Sequence, residues 1–254
     1  EKKDTRVKSA TYFTTLLDFS DPGDLAVFID EEQIESLENR MNTRGYLEGH
    51  EMATTFNMLR SNDLIWSFVI NNYLLGKEPF PFDLLYWNSD STRMPAAMHS
   101  FYLRNMYLNN KLRRKGGIKL DGVAIDLSKV KTPSFMISTK DDHIAPWKST
   151  YSGIHMMNAP VKFVLAASGH IAGVVNHPSR NKYAHWLDMS NNAKHPENPD
   201  DWFDKAEKHE GSWWPEWQKW IEQHAGGKMT ARKPGDGKLK AIESAPGKYV
   251  KAKS

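Results

Sequence analysis

The sequence predicts an α/β domain with a mostly parallel sheet, on three observations. Two apolar, β-branched runs, Pro133-Ser-Phe-Met-Ile-Ser-Thr139 and Val161-Lys-Phe-Val-Leu-Ala166, have the length and composition of buried strands. Each run ends abruptly in a polar cluster, Lys140-Asp141-Asp142-His143 after the first and Ala167-Ser168-Gly169-His170 after the second. Between them Lys148 to Met157 reads as a helix, stopped by Asn158-Ala159-Pro160. Strand, helix and strand in that order imply a parallel pair joined by a crossover.

The other elements follow in chain order. Ala10 to Phe19 is rich in β-branched and aromatic residues and ends at the turn Ser20-Asp21-Pro22-Gly23-Asp24, which predicts another buried strand. From Asp24 to Asn110 the spacing is helical: Ile29, Ile34 and Leu37 mark one helix. Leu64, Ile65, Phe68, Val69 and Tyr73 mark a second after an N-cap at Ser61-Asn62-Asp63, and Phe101 to Leu108 a third. Gly76 to Pro81 breaks the pattern. Val123 to Leu127 is predicted to be extended. Trp213-Trp-Pro-Glu-Trp-Gln-Lys-Trp220 opens an aromatic-faced helix running towards His224, read as packing on the core rather than as a binding stripe. From Gly226 the Lys, Gly, Pro and Ala content predicts a flexible basic tail.

Composition narrows the chemistry. A chain of 254 residues with 39% hydrophobic residues can bury a substantial core. The formal charge of +3 is too small to argue for long-range attraction to nucleic acid or membrane, and the basic runs lack the interleaved aromatics of a single-strand binder. There is no cysteine, hence no disulfide, thiolate metal site or cysteine nucleophile within these residues. No His-x-x-x-His or His-Glu-x-x-His spacing supports a metal, no Gly-x-Gly-x-x-Gly or Walker loop supports a nucleotide cofactor, and no apolar run reaches membrane-spanning length. The chain opens on Glu1 rather than Met, so upstream sequence is expected.

In open α/β sheets reactive groups gather beyond the carboxyl ends of strands. Two predicted strands end there in an acid and a histidine, Asp142 and His170, separated by 28 residues (170 − 142). Nucleophile, then acid, then histidine is the chain order of α/β-hydrolases. The histidine carries a proton from nucleophile to leaving group, and the carboxylate sets its tautomer. His99, His143, His155, His177 and His185 compete for the role, but only His170 follows a buried strand among small residues. Asp141 is the neighbouring acid and reads as solvated. No Gly-x-Ser-x-Gly elbow occurs, so the nucleophile is expected before residue 1. Three readings stay open at this point: a polymerising acyltransferase, an esterase or polyester depolymerase, and a non-catalytic binding piece.

Several unusual strings identify a resemblance. They are Thr14-Thr-Leu-Leu-Asp-Phe19, Asn71-Asn-Tyr-Leu-Leu-Gly76, Pro81-Phe-Asp-Leu-Leu-Tyr-Trp-Asn88 with Asp90 and Thr92, and Asp142-His-Ile-Ala-Pro-Trp147. Ser168-Gly-His-Ile-Ala-Gly173, Gly211-Ser-Trp-Trp-Pro215 and the closing Pro246-Gly-Lys-Tyr-Val-Lys-Ala-Lys253 extend it along nearly the whole chain. Together they resemble the class I polyhydroxyalkanoate synthases, the poly(3-hydroxybutyrate) polymerases. The resemblance implies a C-terminal fragment: the second half of an α/β-hydrolase fold, with core residues 1–19 and 111–225, a helical cap insertion at 20–110 and a basic tail at 226–254. It implies chain growth from (R)-3-hydroxyacyl-CoA, mainly 3-hydroxybutyryl-CoA, onto a polyester with release of CoA, and no cofactor or metal. The implied site is Asp142 and His170 as catalytic acid and base, a cysteine in a Gly-x-Cys-x-Gly elbow upstream of Glu1, and Trp87 beside the substrate route. A homodimer through the cap and a cytoplasmic, granule-associated location are implied as well. A chain without its nucleophile and preceding strands is expected to be inactive alone and to fold poorly.

Overall fold

The computed structural model describes residues 5–59, 61–79, 90–188 and 195–252. In chain order its strands are β1 Ala10–Phe13, β2 Tyr46–Leu47, β3 Met94–Pro95, β4 Lys119–Leu120, β5 Val123–Ala124, β6 Ser134–Thr139, β7 Val161–Ala166, β8 Ala184–Leu187 and β9 Glu207–Glu210. The chain divides into two compact units, one of residues 1–40 with 97–225 and one of 41–96 with 226–254.

The first unit is built on a five-stranded sheet of order β1-β6-β7-β8-β9. The β1–β6 and β6–β7 pairs are parallel, with Phe13 opposite Ile137 and Thr139 opposite Ala166. The β7–β8 and β8–β9 pairs are antiparallel, so four of the five strands run the same way. Side chains alternate faces along a strand, and β6 and β7 obey that rule with apolar residues on both sides. Met136, Phe163 and Leu165 point into one cluster with Leu17, Tyr151, Ile154, Met157 and Trp202. Phe135, Ile137, Val164 and Ala166 point into a second with Leu187, Trp213 and Trp220. Burial of each such large side chain contributes about 1.5–3 kcal/mol, which makes these two strands the centre of the unit. Helices cover both faces, as an α/β sandwich requires. Helix Trp147–Ser152 continues as a 3₁₀ turn, Gly153–Met156, on the first face, where the hydroxyl of Thr150 donates to Ser138 Oγ at 2.7 Å. Helices Ala172–Val175 and Trp214–Glu222 are tied to the second face, through the contacts of Gly173 with Thr139 and of Trp220 with Phe135.

Two predicted extended segments are shorter than their apolar runs. The first strand stops at Phe13 because Thr14 takes a left-handed φ of 42°. Leu16, Leu17 and Phe19 are then buried by packing outside the sheet. The second, Val123–Ala124, pairs with Lys119–Leu120 in a hairpin closed by Asp121 and Gly122, both at positive φ. An Asp-Gly pair at the two central positions suits such a tight turn.

In the second unit β2 pairs with β3 antiparallel, and Arg93 bridges Glu48 at 3.0 Å beside that pair. Helix Gly49–Leu59 is followed by two wide, π-helical stretches, Asn62–Trp66 and Val69–Leu74. The expected N-cap at Ser61 is not made. Its φ and ψ of −56° and −34° are helical and its side chain caps nothing, so helical geometry continues through it. Residues 226–252 carry a single regular element, the 3₁₀ turn Tyr249–Lys251, among the described residues.

Candidate active site

The paired strands β6 and β7 end level with one another, and their polar sequels form the site. Lys140 N–H donates to the Ala166 carbonyl at 2.8 Å and Asp141 N–H to the Ser168 carbonyl at 3.1 Å, so the ladder continues past both strand ends. Ser168, at φ 73°, then turns the chain so that His170 faces the loop after β6. There Asp142 Oδ2 lies 2.8 Å from His170 Nδ1. The pair spans adjacent strand ends rather than adjacent residues.

Three further groups hold the carboxylate. The backbone N–H groups of Ile144 and Ala145 both donate to Asp142 Oδ1 at 2.9 Å, and the Thr139 hydroxyl donates to Oδ2 at 3.1 Å. The Asp142 side chain is fully covered, whereas that of His170 is 31% exposed. With Nδ1 taken by the carboxylate, Nε2 is the nitrogen left to meet a reacting group. Asp141, one residue away, is exposed and turned to solvent. Burial opposes ionisation of Asp142. The hydrogen bond and charge of His170 and the two amide donors outweigh it, and its pKa lies below the ordinary 3.8. A carboxylate whose pKa is depressed on folding stabilises the fold above its unfolded value, and that contribution is lost as pH falls through the folded one. The stability difference between wild type and Asp142→Asn is therefore expected to shrink as pH falls below about 3.8. Paired thermal melts across that range check the sign: a difference that grows with acid would contradict it.

The loop bearing His170 is packed against the strand that holds its partner. A Cβ on Gly173 would fall 2.5 Å from the Ala167 carbonyl and 2.6 Å from Thr139 Cγ2, so only glycine lets the helix after His170 approach Thr139. Gly23 has a similar role opposite, where φ is 64° and a Cβ would meet Pro146 of the Asp142 loop at 2.7 Å. Neither Thr139 nor the two amides was singled out from sequence. Thr139 had one available signal, its place as the last buried residue of the strand before the acid.

Four of the five competing histidines lie apart from this pair. His99 is buried within helix Ala96–Tyr102, and burial lowers its pKa. The His185 ring bonds the Gly211 carbonyl at 3.1 Å, and the His177 side chain accepts from Ser179 N–H at the start of a 3₁₀ turn. His155 packs edge-on against Tyr151. Trp87 lies outside the described residues. Among the described residues no group of three or more acidic, histidine or cysteine side chains could hold a metal, and no helix is long and apolar enough to cross a membrane.

These features define a mixed α/β protein whose sheet presents a covered carboxylate and a half-open imidazole at the carboxyl ends of two neighbouring parallel strands. No family model matches the chain. It is 52% identical over 251 residues to the poly(3-hydroxyalkanoate) polymerase subunit PhaC of Rhizobium meliloti, an overlap of 99% of this chain and 40% of that protein. It is 53% identical over 250 residues to the poly(3-hydroxyalkanoate) polymerase of Methylorubrum extorquens, covering 98% of this chain and 40% of the relative. Against the PhaC subunit of Cupriavidus necator the identity is 44% over 252 residues, covering 97% and 42%. The chain belongs to the poly(3-hydroxyalkanoate) polymerase family, and it spans about 40% of the length of these relatives.

Proposed function

We propose that this chain supplies the acid and the histidine of an acyltransferase that polymerises (R)-3-hydroxyacyl-CoA, mainly 3-hydroxybutyryl-CoA, into polyhydroxyalkanoate with release of CoA. One observation carries the reading: the 2.8 Å contact between Asp142 and His170 leaves the second imidazole nitrogen on a partly exposed side chain. The strand-end placement of the pair matches an α/β-hydrolase fold in which acid and histidine follow the nucleophile. The chain has no cysteine, so the nucleophilic thiol would come from the part of the polymerase outside these residues.

The steps follow from that geometry. His170 Nε2 takes the thiol proton, because the thiolate is the attacking form of cysteine. The thiolate adds to the thioester carbonyl, the bond to the CoA sulfur breaks, and the imidazolium returns the proton to CoA. Asp142, ionised and fixed by four donors, steadies the imidazolium meanwhile. A 3-hydroxyl then attacks the enzyme-bound acyl group and its proton goes to His170 or Asp142; the bond from the acyl carbon to the cysteine sulfur breaks, the thiolate is released and regains that proton, and the chain is longer by one ester. Residues 20–110 are assigned as the cap through which the intact enzyme dimerises, residues 1–19 and 111–225 as the hydrolase core and 226–254 as a basic tail. Trp87 is assigned to the substrate route. The assigned location is the cytoplasm, at the surface of polyester granules.

The test uses the full-length polymerase carrying this sequence and purified (R)-3-hydroxybutyryl-CoA. The expected result is stoichiometric CoA release with insoluble polyester as product. Thiol alkylation should abolish it by labelling a cysteine outside these 254 residues. Free 3-hydroxybutyrate without polymer would identify an esterase using water instead.

A further inference from the structure

The Gly211-Ser-Trp-Trp-Pro215 segment does more than start a core helix. Helix Ala172–Val175, one turn long, begins two residues after His170, and its first bond, Gly173 N–H to the Gly169 carbonyl at 2.9 Å, encloses that histidine. So short a helix has little stability of its own, and its last carbonyls lack partners within it. Three side chains from one distant segment satisfy them. Trp213 Nε1–H is shared between the Gly173 carbonyl at 3.2 Å and the Val174 carbonyl at 3.1 Å. Trp214 Nε1–H donates to the same Val174 carbonyl at 3.1 Å, and the Ser212 hydroxyl donates to the Asn176 carbonyl at 2.6 Å.

The indole donors are themselves packed into the core. Trp213 is wholly buried, stacked on Trp214 with ring centres 4.2 Å apart and wedged against Phe135 of β6 at 5.9 Å and Phe13 of β1 at 6.0 Å. The held turn in turn presses Gly173 on the Thr139 side chain, whose hydroxyl donates to Asp142. A continuous chain of contacts therefore runs from the indole of Trp213 to the carboxylate on one side and to the imidazole on the other. We propose that Ser212, Trp213 and Trp214 are positioning residues, a clamp that fixes His170 at bonding distance from Asp142. The proposal rests on the reading of His170 as the catalytic base.

The experiment replaces each indole donor in the full-length polymerase by a ring without an N–H. Trp213→Phe and Trp214→Phe are expected to lower kcat for CoA release by about 10- to 100-fold, since a displacement of about 1 Å can cost that much, with KM unchanged. The downfield Nδ1–H proton resonance of the His170–Asp142 bond should shift or broaden in both. In a His170→Ala background neither change should lower the residual rate further. Trp202→Phe is the control for packing alone: Trp202 is equally buried, and its Nε1 has no hydrogen-bond partner among the described residues. It should lower the melting temperature and leave kcat and the resonance as they are. Wild-type kcat and an unmoved resonance in Trp213→Phe, or in the milder Trp214→Phe should the first not fold, would overturn the clamp. Undiminished turnover in His170→Ala would instead remove the catalytic reading, and the resonance would still decide the geometric one.

Discussion

His170→Ala is expected to abolish CoA release from (R)-3-hydroxybutyryl-CoA in the full-length polymerase, with a loss on the order of 10³-fold or more. Among the described residues bonded to the covered carboxylate, His170 alone offers a second ring nitrogen, and its side chain is 31% exposed. Truncation removes the acceptor for the thiol proton and the donor for the leaving CoA sulfur in one step. Folding should survive, because His170 contributes to neither apolar cluster and sits in a loop beyond the sheet. Single-turnover measurement of CoA release, with a melting curve alongside, separates chemistry from stability. Near-normal release by a well-folded variant would end the assignment.

Asp142→Asn is expected to cost roughly 10⁴-fold in turnover, as loss of the orienting carboxylate does in hydrolytic triads. The mechanism is a change of donor sense. An amide can still accept from Ile144 and Ala145 through its oxygen. Its NH₂ would then face His170 Nδ1 and favour the tautomer with the proton on the wrong nitrogen. Asp141→Asn should have little effect on turnover, because that side chain is exposed and stands outside the pair. Comparing the two variants under identical conditions tests the choice of acid directly. A greater loss at position 141 would reverse it.

How much of this was legible in the sequence depended on burial. Strands β6 and β7 are apolar on both faces and were readable to within a residue, since a fully buried strand leaves a continuous run. Strand β9, Glu-Lys-His-Glu at 207–210, carries no apolar pattern, being an edge strand that meets β8 through the backbone ladder and the stacked rings of His209 and His185. It went unread for that reason. Ala10 to Phe19 looked like one strand because Leu16, Leu17 and Phe19 are as apolar as a strand. Nothing local marks the left-handed turn at Thr14. At the site, residue types placed Asp142 and His170 at strand ends, but choosing between Asp141 and Asp142 drew on family resemblance. Thr139 and the indoles of Trp213 and Trp214 were out of reach. Their bonds to the site depend on which face of the sheet each residue meets, and the tryptophan contacts span about 40 residues of chain.

The placement of acid and imidazole on consecutive parallel strands also bears on assembly. Both belong to one uninterrupted stretch, 28 residues apart, and the entropy of closing a loop rises only with the logarithm of its length. Bringing β1 alongside β6 closes a separation of 124 residues, from Ala10 to Ser134. Short-range contacts form fastest, so the half-site is expected to close before β1 joins its edge.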